Sequence, residues 1–288
     1  MLPAVLLLML AACQQAGDNG AGKYAEGLKE LGTIRVLARE EGSGTRDAFA
    51  GLVGLESRDS TKADDTREDA EIMEGTDEIK AAAAADPAAL GYVSMGALKE
   101  GEGSVKILSV EGRKADIESV AEGKYRLSRP FYLVYVGKAD GLQQDFLRYI
   151  TGKGQDIVGQ LFVPVSKTEV FLSERPSGTL EICGSTSMAP LMRELAEAYE
   201  KENPNAHIQI TESDSSAGLK EAMEGSCDFG MCSRELKSYE KEILNYELAA
   251  RDGIAVIVNG QNPLEDITSE QLRGIYSGEI SRWEELNP

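Results

Sequence analysis

Leu180-Glu181-Ile182-Cys183 runs into Gly184-Ser185-Thr186-Ser187 and, from Met188, into a helical pattern. In that pattern Met188, Leu191, Met192, Leu195 and Tyr199 fall at i, i+3, i+4, i+7 and i+11, one apolar face of a helix. The plan occurs twice more. Ile34-Arg35-Val36-Leu37-Ala38-Arg39 is followed by Glu40-Glu41-Gly42-Ser43-Gly44-Thr45 and a helix from about Arg46. His207-Ile208-Gln209-Ile210 leads to Asp214-Ser215-Ser216-Ala217-Gly218 and a helix from Leu219. Strands alternating with helices predict an α/β chain with mainly parallel sheets, whose ligand sites lie at the carboxyl ends of the strands. All three loops occupy that position. A helix N-terminus offers unpaired backbone N–H groups and the positive end of a dipole. Three such loops, rich in hydroxyls and with Arg39 beside one, predict a single oxyanion site. Ser and Thr in such places also serve as plain helix caps, and any one loop taken alone reads as well that way.

The chain has 288 residues, room for about two domains. Its 30 Lys and Arg against 49 Asp and Glu, a formal net charge of −19, argue against nucleic acid as a partner, which requires basic surface. The acidity does not exclude an anion held by neutral dipoles and a buried Arg, because exposed charges beyond about 10 Å are largely screened. Leu2 to Ala12 is apolar but too short to span a bilayer. It ends in Leu10-Ala11-Ala12-Cys13 and reads as an export signal covering residues 1–12, although no Lys or Arg precedes the apolar run. Cys183, Cys227 and Cys232 have no metal-ligand spacing, so no metal or cofactor is expected; a disulfide after export and buried free thiols both remain open. His207 is the only histidine and lies in an apolar strand pattern, as a core or edge residue rather than a base. Neither a nucleophile elbow nor a phosphate loop ending in Gly-Lys-Ser/Thr is present. The expected chemistry is therefore binding rather than catalysis.

Residues 13–32 read as a polar, Gly-rich tether with one short helical stretch, and Glu56 to Glu71 as a charged surface excursion. Helices are expected over Glu78 to Ala89, Gln144 to Val158, Ser269 to Tyr276 and Ile280 to Leu286. Strands are expected over Leu90 to Ser94, Arg129 to Val136, Asp228 to Cys232 and Gly253 to Val258. Val165 to Gly178, with two prolines and little periodicity, reads as a linker over residues 164–178.

Five stretches form a consistent set: Arg39 to Arg46, Gly184 to Leu191, Asp228 to Arg234, Asp252 to Asn259, and Ser277 to Trp283. Together they resemble the phosphate-binding lipoproteins of bacterial phosphate ABC transporters, over roughly residues 33–163 and 179–288. The resemblance implies a two-lobed periplasmic-binding-protein fold with a hinge. In that family the half resembling 179–288 comes first, so the halves here stand in reversed order. Either the chain is circularly permuted, or it spans the back of one copy and the front of the next in a tandem array. Permutation implies one lobe from 127–259 and a second from 33–126 plus 260–288, with crossings near residues 127 and 259.

Carried over by position, the resemblance implies that Thr186, Ser187 and Ser215 donate to phosphate from one lobe, and Arg39, Ser43, Gly44 and Thr45 from the other. Glu41 stands where the family orients its Arg with an acid. Ser233 stands where better-known members have an Asp that accepts the proton of hydrogen phosphate; a hydroxyl there both accepts and donates. Arg234 is either a second cation or a surface residue paired with Glu235 or Glu240. Cys13 resembles the lipobox cysteine, implying a lipid that anchors the protein at the extracytoplasmic face of the cell membrane. The implied partners are inorganic phosphate and the permease subunits of the transporter. Sulfate or another tetrahedral oxyanion, and a fragment that binds nothing, are the alternatives.

Overall fold

The three strand–loop–helix units fold as such in the computed structural model, which describes residues 23–59, 61–98, 103–139 and 141–286. The expected signal segment and Cys13 lie outside these residues. In chain order the elements are β1 (Arg35–Arg39), α1 (Gly44–Val53), β2 (Glu71–Met73), α2 (Thr76–Ala85), β3 (Ala89–Ser94), β4 (Val105–Ile107), β5 (Ser109–Val110), α3 (Ile117–Ala121) and β6 (Ser128–Tyr135). They continue with α4 (Gly141–Thr151), α5 (Gln155–Leu161), β7 (Gly178–Ser185), α6 (Ala189–Glu202), β8 (Ala206–Ser213), α7 (Ser215–Glu224), β9 (Phe229–Cys232), α8 (Ser238–Ile243), β10 (Asn245–Asn259), β11 (Asp266–Ile267) and α9 (Ser269–Ser277).

The main sheet runs β2-β1-β3-β10-β6-β9-β7-β8, with β4 also on β10. It is mixed rather than mainly parallel. Pairing is parallel at both ends, β2 with β1 with β3 and β9 with β7 with β8, but β10 and β6 in the middle pair antiparallel to their neighbours. The cause is β10, a 15-residue strand of which only Gly253 to Val258 is apolar enough to read as strand in the sequence. Asn245 to Gly253 pairs with β6, whereas Ile254 to Val258 pairs with β3. This one strand therefore passes from one half of the molecule to the other at Gly253 and Ile254, where Ile254 N–H donates to Leu127 O at 2.7 Å. β6 begins at Ser128, next to the crossing expected near 127; along β10 the change of partner falls at 253–254 and not at 259, and Ile257, Val258 and Asn259 also pair with β4.

Other departures are local. The helix expected over Gln144 to Val158 breaks into α4 and α5 at Gly152 to Gly154, where Gly154 N–H turns back to Tyr149 O at 2.8 Å. The helix expected from Ile280 is only a 3-10 turn, Trp283–Leu286. The short helical stretch expected in the tether is residues 23–31, but it is packed down, with Leu28 fully buried in the core. Residues 164–177 have no regular structure but are pinned at Asp145, which accepts from Ser173 Oγ at 2.6 Å, Tyr199 Oη at 2.8 Å and Glu174 N at 3.3 Å. His207 sits on the outer strand β8, exposed, with Glu200 at 3.3 Å. Cys183 and Cys227 form a disulfide, and Cys232 is a buried free thiol pushed up to about 11 by burial.

Candidate functional site

The three loops meet. Ser43 caps α1, its Oγ accepting from Arg46 N at 3.4 Å, and Asp214 caps α7, accepting from Ala217 N at 2.8 Å. The loop before α6 has no side-chain cap, so its hydroxyls are not spent on ending a helix. Thr45 Oγ1 lies 2.8 Å from Ser187 Oγ, joining the first unit to the second. Ser233 N–H donates to Ser215 Oγ at 3.1 Å, and Ser185 Oγ donates to Ser233 Oγ at 2.9 Å, joining the third unit and the end of β9. Ser43, Thr45, Ser185, Ser187, Ser215 and Ser233 are all buried. Gly44 is the contact point between the halves. A Cβ there would lie 2.7 Å from Ser233 Oγ and closer still to Ser215 Oγ, so only glycine lets the start of α1 press onto these hydroxyls.

Arg39 ends β1 beside the cluster, 2% exposed. Its Nη2 donates to Thr186 Oγ1 at 3.1 Å and its Nη1 to Thr76 Oγ1 at 3.5 Å. The acid that orients it is Glu40, not Glu41: Nε and Nη2 donate to the two Glu40 carboxylate oxygens at 2.7 and 2.6 Å. Glu40 directly follows Arg39 and folds back along the guanidinium, whereas Glu41 is exposed on the turn that follows. Arg46 supports the strand end from behind, donating to Arg39 O at 3.0 Å while its fork grips buried Asp64 at 2.6 and 3.2 Å.

Arg234 does not join the cluster as a second cation. It is buried and turned toward α8, donating to both Glu240 oxygens at 2.8 and 2.9 Å, with Asp47 of α1 3.0 Å from Nε. Burial opposes its charge, but bonding to Glu240 holds its pKa above the ordinary arginine value. It is one of the pairs weighed for it in the sequence, with an added tie across to α1.

The sequence reading missed Arg129 and Asp252. They are register partners on β6 and β10 at the crossing between the halves. Asp252 is fully buried and accepts from Arg129 Nε at 2.9 Å and from Ser94 Oγ, at the end of β3, at 3.0 Å. Burial pushes the Asp252 carboxyl up and the Arg129 guanidinium down, and each opposes the other's shift through their attraction. Arg129 Nη1 reaches the cluster, at 2.7 Å from Thr45 Oγ1, 3.2 Å from Ser233 O and 3.4 Å from Ser233 Oγ. One signal was available: a charged residue at the head of an otherwise apolar strand must find a buried partner. Next to the cluster a cleft of about 870 Å³ has Gly42, Asp47, Arg129, Arg234 and Lys237 in its lining.

A site of converging hydroxyls, helix N-termini and fixed guanidinium forks, with no paired nucleophile and base, can hold an anion through donors from both halves. Comparison with known proteins agrees in kind. The family described as the PBP superfamily domain matches residues 19–153 and 171–288. The chain is 40% identical to phosphate-binding protein PstS 2 of Streptococcus pneumoniae serotype 4, covering 97% of this chain and 98% of that protein. It is 38% identical to phosphate-binding protein PstS 2 of Streptococcus agalactiae serotype V, covering 89% and 88%. A crystal structure of a phosphate-binding protein of a phosphate ABC transporter from Streptococcus pneumoniae superposes with a TM-score of 0.73 at 40% identity, over 88% of this chain and 100% of that one. The two-lobed fold, the coverage and the identity lead to one conclusion: this chain belongs to the PBP superfamily, in the company of the streptococcal phosphate-binding proteins.

Proposed function

We propose that this protein binds inorganic phosphate between its two lobes and delivers it to the permease of an ABC transporter. The observation that carries the reading is the convergence of hydroxyls from both halves: Thr45 bonds Ser187, Ser215 bonds Ser233, and Arg129 Nη1 links the two pairs, with Arg39 on Thr186 at their edge. Such a site gains its ligand contacts only when the lobes are closed, so the anion favours closure. On this reading Thr186, Ser187, Ser215 and Ser233 serve from one lobe and Arg39, Ser43, Gly44 and Thr45 from the other. A lipid on Cys13 would hold the body at the outer face of the membrane; among the described residues no helix is long and apolar enough to cross it.

On the same reading the chain is circularly permuted. Ile34 N–H donates to Ser281 O at 2.8 Å and Trp283 N–H to Gly32 O at 3.0 Å, so the two segments that the family joins directly lie side by side. The first lobe then takes residues 128–253 and the second 33–127 with 254–286, closing on each other within one chain.

Titration calorimetry with phosphate tests the function. One phosphate per monomer at micromolar affinity or better, with no hydrolysis of a model phosphate ester, is the expected result. Arg39→Ala should weaken binding by about tenfold to a hundredfold, from the roughly 1.5–3 kcal/mol of a hydrogen bond to a charged group. Unchanged affinity in that variant would exclude the site. Ester hydrolysis would make the protein an enzyme, and no binding would leave it a non-binding fragment.

A further inference from the structure

We propose that Arg129, at the crossing between the lobes, is a phosphate-binding residue and supplies the second guanidinium of the site. The inference rests on the phosphate reading above. Arg39 commits Nε and Nη2 to the two oxygens of Glu40, which leaves few of its N–H groups for a dianion. Arg234, the other candidate, is taken by Glu240 and Asp47.

Arg129 differs in how its charge is directed. Asp252 lies on one side of the guanidinium, with Oδ1 committed to Ser94 and Oδ2 to Arg129 Nε. The opposite edge, Nη1, points at Thr45 in one lobe and at Ser233 in the other. Nη2 lies 2.8 Å from Asp252 Oδ2 as an ion-pair contact but makes no hydrogen bond, although the side chain is 1% exposed. A buried arginine N–H without an acceptor is costly unless a ligand oxygen provides one. The Phe131 ring, 5.2 Å from the guanidinium carbon, restrains its position.

The bonds from Arg129 also orient its neighbours. Thr45 Oγ1 accepts from Nη1, and Ser233 Oγ accepts from both Nη1 and Ser185 Oγ. Hydroxyls whose lone pairs are occupied in this way have their protons left to donate, so Arg129 turns one hydroxyl of each lobe toward an anion. A single side chain rooted on the crossing strand thereby senses both lobes.

The competing role is a brace, in which Arg129 only neutralises Asp252. The test removes both charges at once: Arg129→Met/Asp252→Asn leaves no unpaired buried charge. Calorimetry with inorganic phosphate and a thermal melt are run on the full chain, wild type and variant. Tight binding by the wild type together with at least about a tenfold loss in a variant that melts cooperatively is expected. A smaller loss in that variant would overturn the inference while leaving the phosphate reading intact. If the wild type itself does not bind phosphate, the phosphate reading fails and takes this proposal with it. Should the double variant not fold, Arg129→Lys keeps the charge beside Asp252 but lacks the fork that reaches Thr45 and Ser233. A loss of at least about fivefold is then expected, and wild-type affinity in Arg129→Lys would equally overturn the assignment.

Discussion

Glycine 44 shows how much of this site depends on a single atom. It is the first residue of α1, where replacing Gly by Ala would ordinarily help a helix by up to about 1 kcal/mol. Here the added methyl would strike Ser215 Oγ and Ser233 Oγ, so it should cost closure rather than folding. Gly44→Ala is expected to melt within a few degrees of the wild type while losing about a hundredfold or more in phosphate affinity; parallel melts and calorimetry check the split. Not every residue at this scale was legible. Arg39, Thr45, Ser187 and Ser215 stand in or beside short hydroxyl-rich strand-to-helix junctions, a local pattern that periodicity exposes. Glu40 rather than Glu41 as the partner of Arg39 depends on how one turn leaves β1, and two adjacent glutamates look alike in a sequence.

At the scale of elements, the segment 164–177 between α5 and β7 is the weakest stretch by pattern yet is tied down by side chains. Asp145 on α4 collects Ser173, Tyr199, Arg148 and Glu174 N–H, and Phe171 packs edge-on against Tyr149 at 5.2 Å. Asp145→Asn should cost about 1–3 kcal/mol in chemical denaturation, since buried donors lose a charged acceptor. It should also open residues 164–177 to protease, while phosphate affinity stays near wild type. The disulfide between Cys183 and Cys227 closes a loop of 44 residues that includes α6, β8 and α7. By the loop-entropy argument its reduction should lower stability by about 4 kcal/mol, read as a shift of the denaturation midpoint with and without reductant. The linker was legible from its prolines and polarity; its anchoring was not, because Asp145 lies in a helix whose apolar face says nothing of a buried carboxylate.

For the whole molecule, pH is the sharper probe of how its buried charges are compensated. Burial raises the carboxyls of Asp64, Asp145 and Glu240, but hydrogen bonds outweigh it and hold each below the usual range; Arg46, Ser173 with Tyr199, and Arg234 are the main donors. With folded values below unfolded ones, these groups contribute stability above the unfolded pKa of about 4 and lose it as pH falls through the folded values. Asp47 and Asp252, raised by burial, work in the opposite sense and relieve strain on the fold as they protonate. The melting temperature is therefore expected to stay flat from about pH 7 to 5 and to fall below about pH 4. Asp64→Asn should flatten part of that fall.

The α/β class, the three loops and the linker were written in the sequence, because strand and helix periodicity and loop chemistry are local properties of neighbouring residues. The change of partner along β10, the mixed sheet and the Arg129–Asp252 pair were not. Arg129 and Asp252 are 123 positions apart, and only the register of β6 on β10 brings them together. That register is set by which apolar faces bury against each other across the whole molecule, so the charge at the centre of the site was decided by tertiary packing alone.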